Sequence, residues 1–195
     1  MLALVVAAPA LAAERPSVDA VEIEVGDLST AVVPFSNLAP LGPLRPVVTV
    51  GAQYVWVDQR FDIVQTLRVG GHAHPTAGNA ARLGTDLDLR WTSGVGPLVE
   101  AGLSFGVNHV FRARPVLVFD PDTQEYTERA SRGRLGVAGG VGLALGVDLS
   151  DLSKVPVTLL VDYHWGVQTA WLPALPVGPF GALSAGVRFA LGGDR

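Results

Sequence analysis

Three groups of side chains in this sequence have types and spacings that could do chemistry. Asp162 and His164 stand two residues apart on one face of an extended segment, and Ser184 falls where a neighbouring strand would bring it alongside. A carboxylate orienting an imidazole that activates a hydroxyl is hydrolase chemistry, and needs the three within hydrogen-bond reach. These residues sit mid-strand, away from any rim, so an interior hydrogen-bond cluster is the favoured reading. His72 and His74 put two imidazoles on one side of an extended stretch, a pair that could chelate a transition metal. The closest acidic residue is Asp62, and Gly70, Gly71 and Pro75 surround the pair, so a solvated loop is expected and no metal. Asp120, Asp122 and Glu125 cluster within the charged stretch from Arg112 to Arg132. Calcium needs more converging oxygens than these supply. Asp120-Pro121-Asp122 is a turn signal, with Val116 to Phe119 expected to pair with Tyr126-Thr127 as a hairpin. No phosphate loop, dinucleotide fingerprint, zinc-protease helix or nucleophile elbow occurs, and no cofactor is expected.

The segments that must position these residues alternate with period two, the signature of strands with one apolar face. Val99, Ala101, Leu103, Phe105 and Val107 alternate with Glu100, Gly102, Ser104, Gly106 and Asn108. The same pattern runs through 47–56, 83–91, 134–149, 157–168 and 182–191. Two weaker runs, Val21-Glu22-Ile23-Glu24-Val25 (extended towards Val33) and Phe61 to Val69, bring the count to eight. Between runs the connections alternate short and long. Asp58-Gln59-Arg60, 92–97 and 150–154 are short; Gly70 to Ala80, 112–131 and 172–178 are longer. The uncharged stretch from Tyr163 to Val187 is no membrane helix, because Pro173, Pro176 and Pro179 interrupt it.

Composition bears on what the apolar face meets. Of 195 residues, 49% are hydrophobic and only 16% charged, below the roughly 25% usual in soluble domains. That excludes a disordered chain, and 14 basic against 18 acidic residues give no footprint for nucleic acid. With no cysteine, disulfides and cysteine-based zinc sites are excluded. The face opposite the bulky residues is glycine and alanine broken by a few charges, which suits the inside of a narrow barrel. Tyr54, Trp56, Trp91, Phe111, Tyr163, Trp165, Trp171 and Phe189 lie near run ends, as interfacial aromatic girdles would. Residues 1–13, small and apolar, read as an export leader, leaving 14–195 as one barrel domain with its clearest strands from 46 to 191.

These features are those of an all-β, antiparallel up-and-down transmembrane barrel of eight strands. The glycine-interleaved strands, the aromatic run ends and the segment Val187-Arg188-Phe189-Ala190-Leu191 resemble the small outer-membrane β-barrel superfamily, the OmpA/OmpX-like group, over about Pro46 to Leu191. The chain departs from the group at its end, where Gly192-Gly193-Asp194-Arg195 stands in place of a terminal aromatic. The resemblance implies residence in the outer membrane of a Gram-negative-type envelope, with anchoring, adhesion, passive permeation or, rarely, lipid-modifying catalysis. The partners expected are outer-membrane lipid and an extracellular partner met through the loops, with the protein a monomer. A lipid hydrolase or acyltransferase using Asp162, His164 and Ser184, and a soluble periplasmic barrel holding an apolar ligand, are the alternatives.

Inside such a barrel Asp86, Asp88, Arg90, Glu100, Arg134, Asp148, Asp162, His164 and Arg188 share a confined volume. An unpaired charge there costs several kcal/mol, so paired charges are expected to fill and close the lumen, or else to narrow it to a carboxylate-lined path. Arg90 and Glu100 flank a short turn at matched distances and should meet across strands. Arg90→Ala is expected to lower the unfolding midpoint in detergent more than Arg60→Ala; equal midpoints would contradict the pairing.

Overall fold

The structure, a computed structural model, describes residues 18–29, 45–58, 60–73, 79–93, 96–111, 116–129, 133–150, 155–169 and 177–191. The leader at 1–13, the extension of the first strand to Val33, His74 and Trp171 lie outside the described residues.

Ten strands form. They are β1 (Ala20–Ser29), β2 (Pro46–Val57), β3 (Asp62–His72), β4 (Asn79–Thr92), β5 (Pro97–Phe111), β6 (Val116–Asp120), β7 (Glu125–Arg129), β8 (Arg134–Asp148), β9 (Val157–Thr169) and β10 (Val177–Ala190). Eight of them close into a barrel in the order β1-β10-β9-β8-β5-β4-β3-β2, and β6 and β7 make a separate hairpin. Every neighbouring pair is antiparallel, including the closing pair of β1 with β10. The weaker runs at 21–25 and 61–69 are therefore full staves, and the hairpin forms where Asp120-Pro121-Asp122 turns the chain.

The registers set the barrel's shape. From Glu24 the pairing runs one way through Thr49 and Gly70 to Arg82 on β4. The other way it runs through Gly186, Leu160, Gly146 and Leu98 to Thr92 on the same strand. The offset between Arg82 and Thr92, ten residues, is the stagger of the closed sheet, and such stagger tilts the strands by about 35–45°. The short connections at 58–61 and 93–96, the connection at 149–156 and both ends of the barrel chain share one rim. The connections at 30–45, 73–78, 112–133 and 170–176 share the other. The second set runs from 6 to 22 residues and the first from 4 to 8, and longer loops on one rim are the tendency of bacterial outer-membrane barrels.

Burial is the reverse of a soluble domain's. Leu83, Leu87, Leu103, Phe105, Leu145 and Val161 are each at least half exposed on the outer wall. Glu22, Gln53, Asp86, Glu100, Asp162 and Arg188, by contrast, are at most 5% exposed. A soluble barrel with an apolar ligand cavity is corrected by this arrangement: most bulky side chains point out, and the middle of the lumen is charged. Polar groups on the outer wall are tied together. Trp56 Nε1 donates to Gln65 Oε1 at 3.1 Å, and Gln65 Nε2 donates to Thr85 Oγ1 at 3.1 Å.

Glycine makes the narrow bore possible. A Cβ on Gly140 would come within 2.9 Å of Gly166 Cα, and one on Gly142 within 3.0 Å of the His164 ring. On β8, positions 140 and 142 therefore have no room for a larger residue, and the space left at 142 is taken by the His164 ring. Two strand ends differ from expectation. His72 is the last residue of β3 rather than part of a loop, and β10 begins at Val177, taking in Pro179.

Leu103→Arg should destabilise the barrel in lipid vesicles by about 2–4 kcal/mol, the cost of a charge on the lipid face near the midplane. Glu125→Arg on the hairpin should stay within about 0.5 kcal/mol. Urea titration of the vesicle-inserted protein measures both.

Candidate functional site: the charged lumen

Alternation on β1, β3, β4, β5, β9 and β10 turns one side chain in two inward, and the closed sheet forces those side chains into contact. Near the short-turn rim, Arg188 from β10 grips Glu100 of β5 with two parallel bonds: Nη1 donates to Oε1 and Nη2 to Oε2, both at 2.8 Å. The same guanidinium reaches Glu22 of β1 at 3.2–3.3 Å. Arg90 pairs with Glu100, as expected from the sequence, and also donates to Gln53 Oε1. One layer further in, Arg68 of β3 lies within ion-pair distance of four carboxylates. These are Asp86 at 2.5 Å, Glu24 at 2.6 Å, Glu22 at 2.9 Å and Asp162 at 3.4 Å. His164 Nε2 meets Asp162 Oδ2 at 2.8 Å. Glu22 touches both Arg68 and Arg188, so the two layers form one connected network.

Towards the loop rim the lumen turns apolar. Leu28, Phe180 and Ala138 form a buried cluster with Val47 and Ala182 against it, and the Arg82 guanidinium lies 5.5 Å from the centre of the Phe180 ring. Beside the cluster Asn108 Nδ2 donates to Gln168 Oε1 at 2.9 Å. Two cavities flank the charged network. One of about 330 Å³ opens at the short-turn rim beside Gln53, Arg90, Asp148 and Arg188. The other, of about 60 Å³, lies on the loop side beside Glu24, Arg68, Asp86 and His164.

The sequence-derived residues fare unevenly. Arg90, Glu100, Asp86, Asp162, His164 and Arg188 are brought together. Asp88 lies on the same face, half-buried beside Gly102, and Asp148 lines the wider cavity. Arg134 does not join them: as the first residue of β8, at the loop rim, it is exposed. Ser184 pairs in register with Asp162, but its hydroxyl donates to Glu24 Oε2 at 3.4 Å. Its hydrogen bond therefore goes to a carboxylate and not to His164, which is not a nucleophile–base arrangement. Among the described residues no three His, Cys, Asp or Glu converge as metal ligands.

Sequence reading missed Arg68, Glu22, Glu24, Gln53 and Arg82. Glu22 and Glu24 alternate with Val21, Ile23 and Val25, and Arg68 stands between Leu67 and Val69, so the parity signal was present. It lay on the two runs of weakest pattern. Of the aromatics, Trp56, Trp91 and Phe189 ring the short-turn rim with Phe61, and Tyr54 is close by on β2. Phe111 marks the other rim, 4.6 Å from the His109 ring. Tyr163 and Trp165 are corrected: they lie within β9 between Leu159 and Val167, with Tyr163 paired to Leu183 and Leu143, and form no girdle.

A closed antiparallel barrel with an apolar outer belt, a polar lumen and aromatic rims is a membrane β-barrel. No protein-family model and no curated protein matches the chain. Among solved structures it is similar to Neisserial surface protein A, with a TM-score of 0.55 and 16% identity over 91% of this chain and 100% of that one. It also matches Ail, an outer membrane protein of Yersinia pestis, in a phospholipid bilayer nanodisc. That match has a TM-score of 0.40 and 13% identity over 88% of this chain and 99% of that one. The fold is that of the small outer-membrane β-barrels.

Arg68→Ala should cost about 3–5 kcal/mol, because it takes the guanidinium away from the buried carboxylates of Glu24 and Asp86. Arg68→Lys should recover only part of that, since one ammonium cannot reach four carboxylates as a planar guanidinium does. Unfolding midpoints in detergent for the three proteins measure the order.

Proposed function

We propose that this protein is a non-enzymatic outer-membrane barrel that anchors its long loops at the cell surface and keeps its lumen closed. It is exported by the leader at 1–13, sits as a monomer in outer-membrane lipid, and offers its loops to an extracellular partner. The observation that carries the closed lumen is the connected network Arg90–Glu100–Arg188–Glu22–Arg68–Asp162. It stands between the two cavities and draws on six staves of the barrel: β1, β3, β4, β5, β9 and β10. Opening a path would mean separating buried ion pairs, each costly to break from one side. The hairpin β6–β7 supports a surface role for the loops. Phe119 and Tyr126 are exposed, with ring centres 5.3 Å apart, on an element that takes no part in the barrel.

An enzyme reading has less support. Asp162 and His164 form a dyad, but the hydroxyl that would complete it is engaged by Glu24.

Planar-bilayer recording tests the closed lumen. The wild-type barrel should show no sustained conductance, whereas Arg68→Ala with Arg188→Ala should admit small cations past the uncompensated carboxylates. Stable cation-selective channels in the wild type would overturn the reading.

A further inference from the structure

The loop-side cavity is not used by an anchoring role. It lies between the Arg68 cluster and the apolar group of Leu28, Val47 and Ala182, and its 60 Å³ is room for a few water-sized groups. Two polar atoms on its wall lack partners among the described residues. Glu24 is 3% exposed and gives Oε2 to Arg68, while its Oε1 has no hydrogen-bond partner among the described residues. His164 donates Nε2–H to Asp162, and its Nδ1, an acceptor in the neutral imidazole, also has no hydrogen-bond partner among the described residues. The Thr49 and Ser184 side chains border the same space. A buried acceptor left unmade costs about 1–3 kcal/mol, so two of them on one wall call for an occupant that donates.

Charge points the same way. On the floor, Arg68 is the guanidinium that Glu24 and Asp86 share, while Glu22 divides its contacts between Arg68 and Arg188 and Asp162 between Arg68 and His164. Arg82 borders the cavity from further along β4 towards the loop rim, where it stacks over Phe180. The deep end is therefore anionic and the end towards the loops cationic. An anion would meet Glu24 and Asp86. A divalent metal lacks a converging ligand set among the described residues.

We propose that this cavity is a site for a small primary ammonium ion, of the size of ammonium or methylammonium. Its N–H groups satisfy Glu24 Oε1 and the acceptors around it, and its charge offsets the carboxylate excess beside Arg68. Entry is from the loop rim past Arg82 and His72, so the site does not depend on whether the lumen conducts. Bilayer recording and the experiment below therefore fail independently.

The test is thermal unfolding of the detergent-folded barrel in methylammonium, potassium or tetramethylammonium chloride at matched ionic strength. Methylammonium should raise the midpoint by a few degrees in a saturable way, beyond either other cation. Glu24→Gln should abolish the difference. Because Glu24 also pairs with Arg68, Ala182→Leu serves as a second variant that fills the cavity from β10 and touches no charge; it too should abolish the difference. Equal midpoints in all three salts, meaning a cavity filled by water only, would overturn the site. So would a methylammonium shift that survives Ala182→Leu.

Discussion

The constraint from which the rest of this structure follows is the closure of eight strands into a bore too narrow for bulk water to solvate what points into its middle. Inward positions must be small or must find partners on facing staves. Glycine and alanine satisfy the first condition along β8, where Gly140, Gly142 and Ala144 lie against β9. Arginine and carboxylate satisfy the second across the middle of the bore. Neither is needed on a sheet that faces water, where solvent satisfies an exposed charge. The outer wall is the complement, with its bulk placed where lipid tails and not protein cover it, so that burial by the bilayer replaces burial by a core.

The arginine-centred design has an energetic consequence. Buried ion pairs are weak evidence for stability, because desolvation offsets most of their attraction. Their value here is positional. Arg68 makes contacts with residues from β1, β4 and β9, and Arg188 with residues from β1 and β5. A slip of one residue in any of these staves would turn a charge into the lipid and leave its partner buried alone. The network therefore specifies register, and the same pairs cross the bore from six of its eight staves.

Much of this was legible in the sequence. The period-two pattern gave the staves, the small inner face gave the narrow bore, and Arg90 with Glu100 could be matched across a short turn by counting. What stayed hidden has physical reasons. Arg68 and Glu22 lie on strands whose pattern is weakest, and their pairing is between residues distant in sequence, which no local spacing encodes. Tyr163 and Trp165 sit within a stave, Tyr163 only 6% exposed where it pairs with Leu143 and Leu183, so residue type alone does not mark a rim. Arg134 has inward parity, but it begins β8 at the loop rim, above the bore. Ser184 faces the same lumen as His164, yet Glu24 stands close enough to take its proton donor.

Because the chain has no cysteine, single cysteines can be introduced and spin-labelled one at a time. The most direct measurement is the collision accessibility of labels at positions 87, 103 and 141 in lipid bilayers, compared with position 125 on the hairpin. The account predicts that the first three collide readily with dissolved oxygen and poorly with a water-soluble nickel complex, with the order reversed at 125. Nickel accessibility at 87, 103 and 141 equal to that at 125 would mean that water and not lipid bathes the outer wall, and would contradict it.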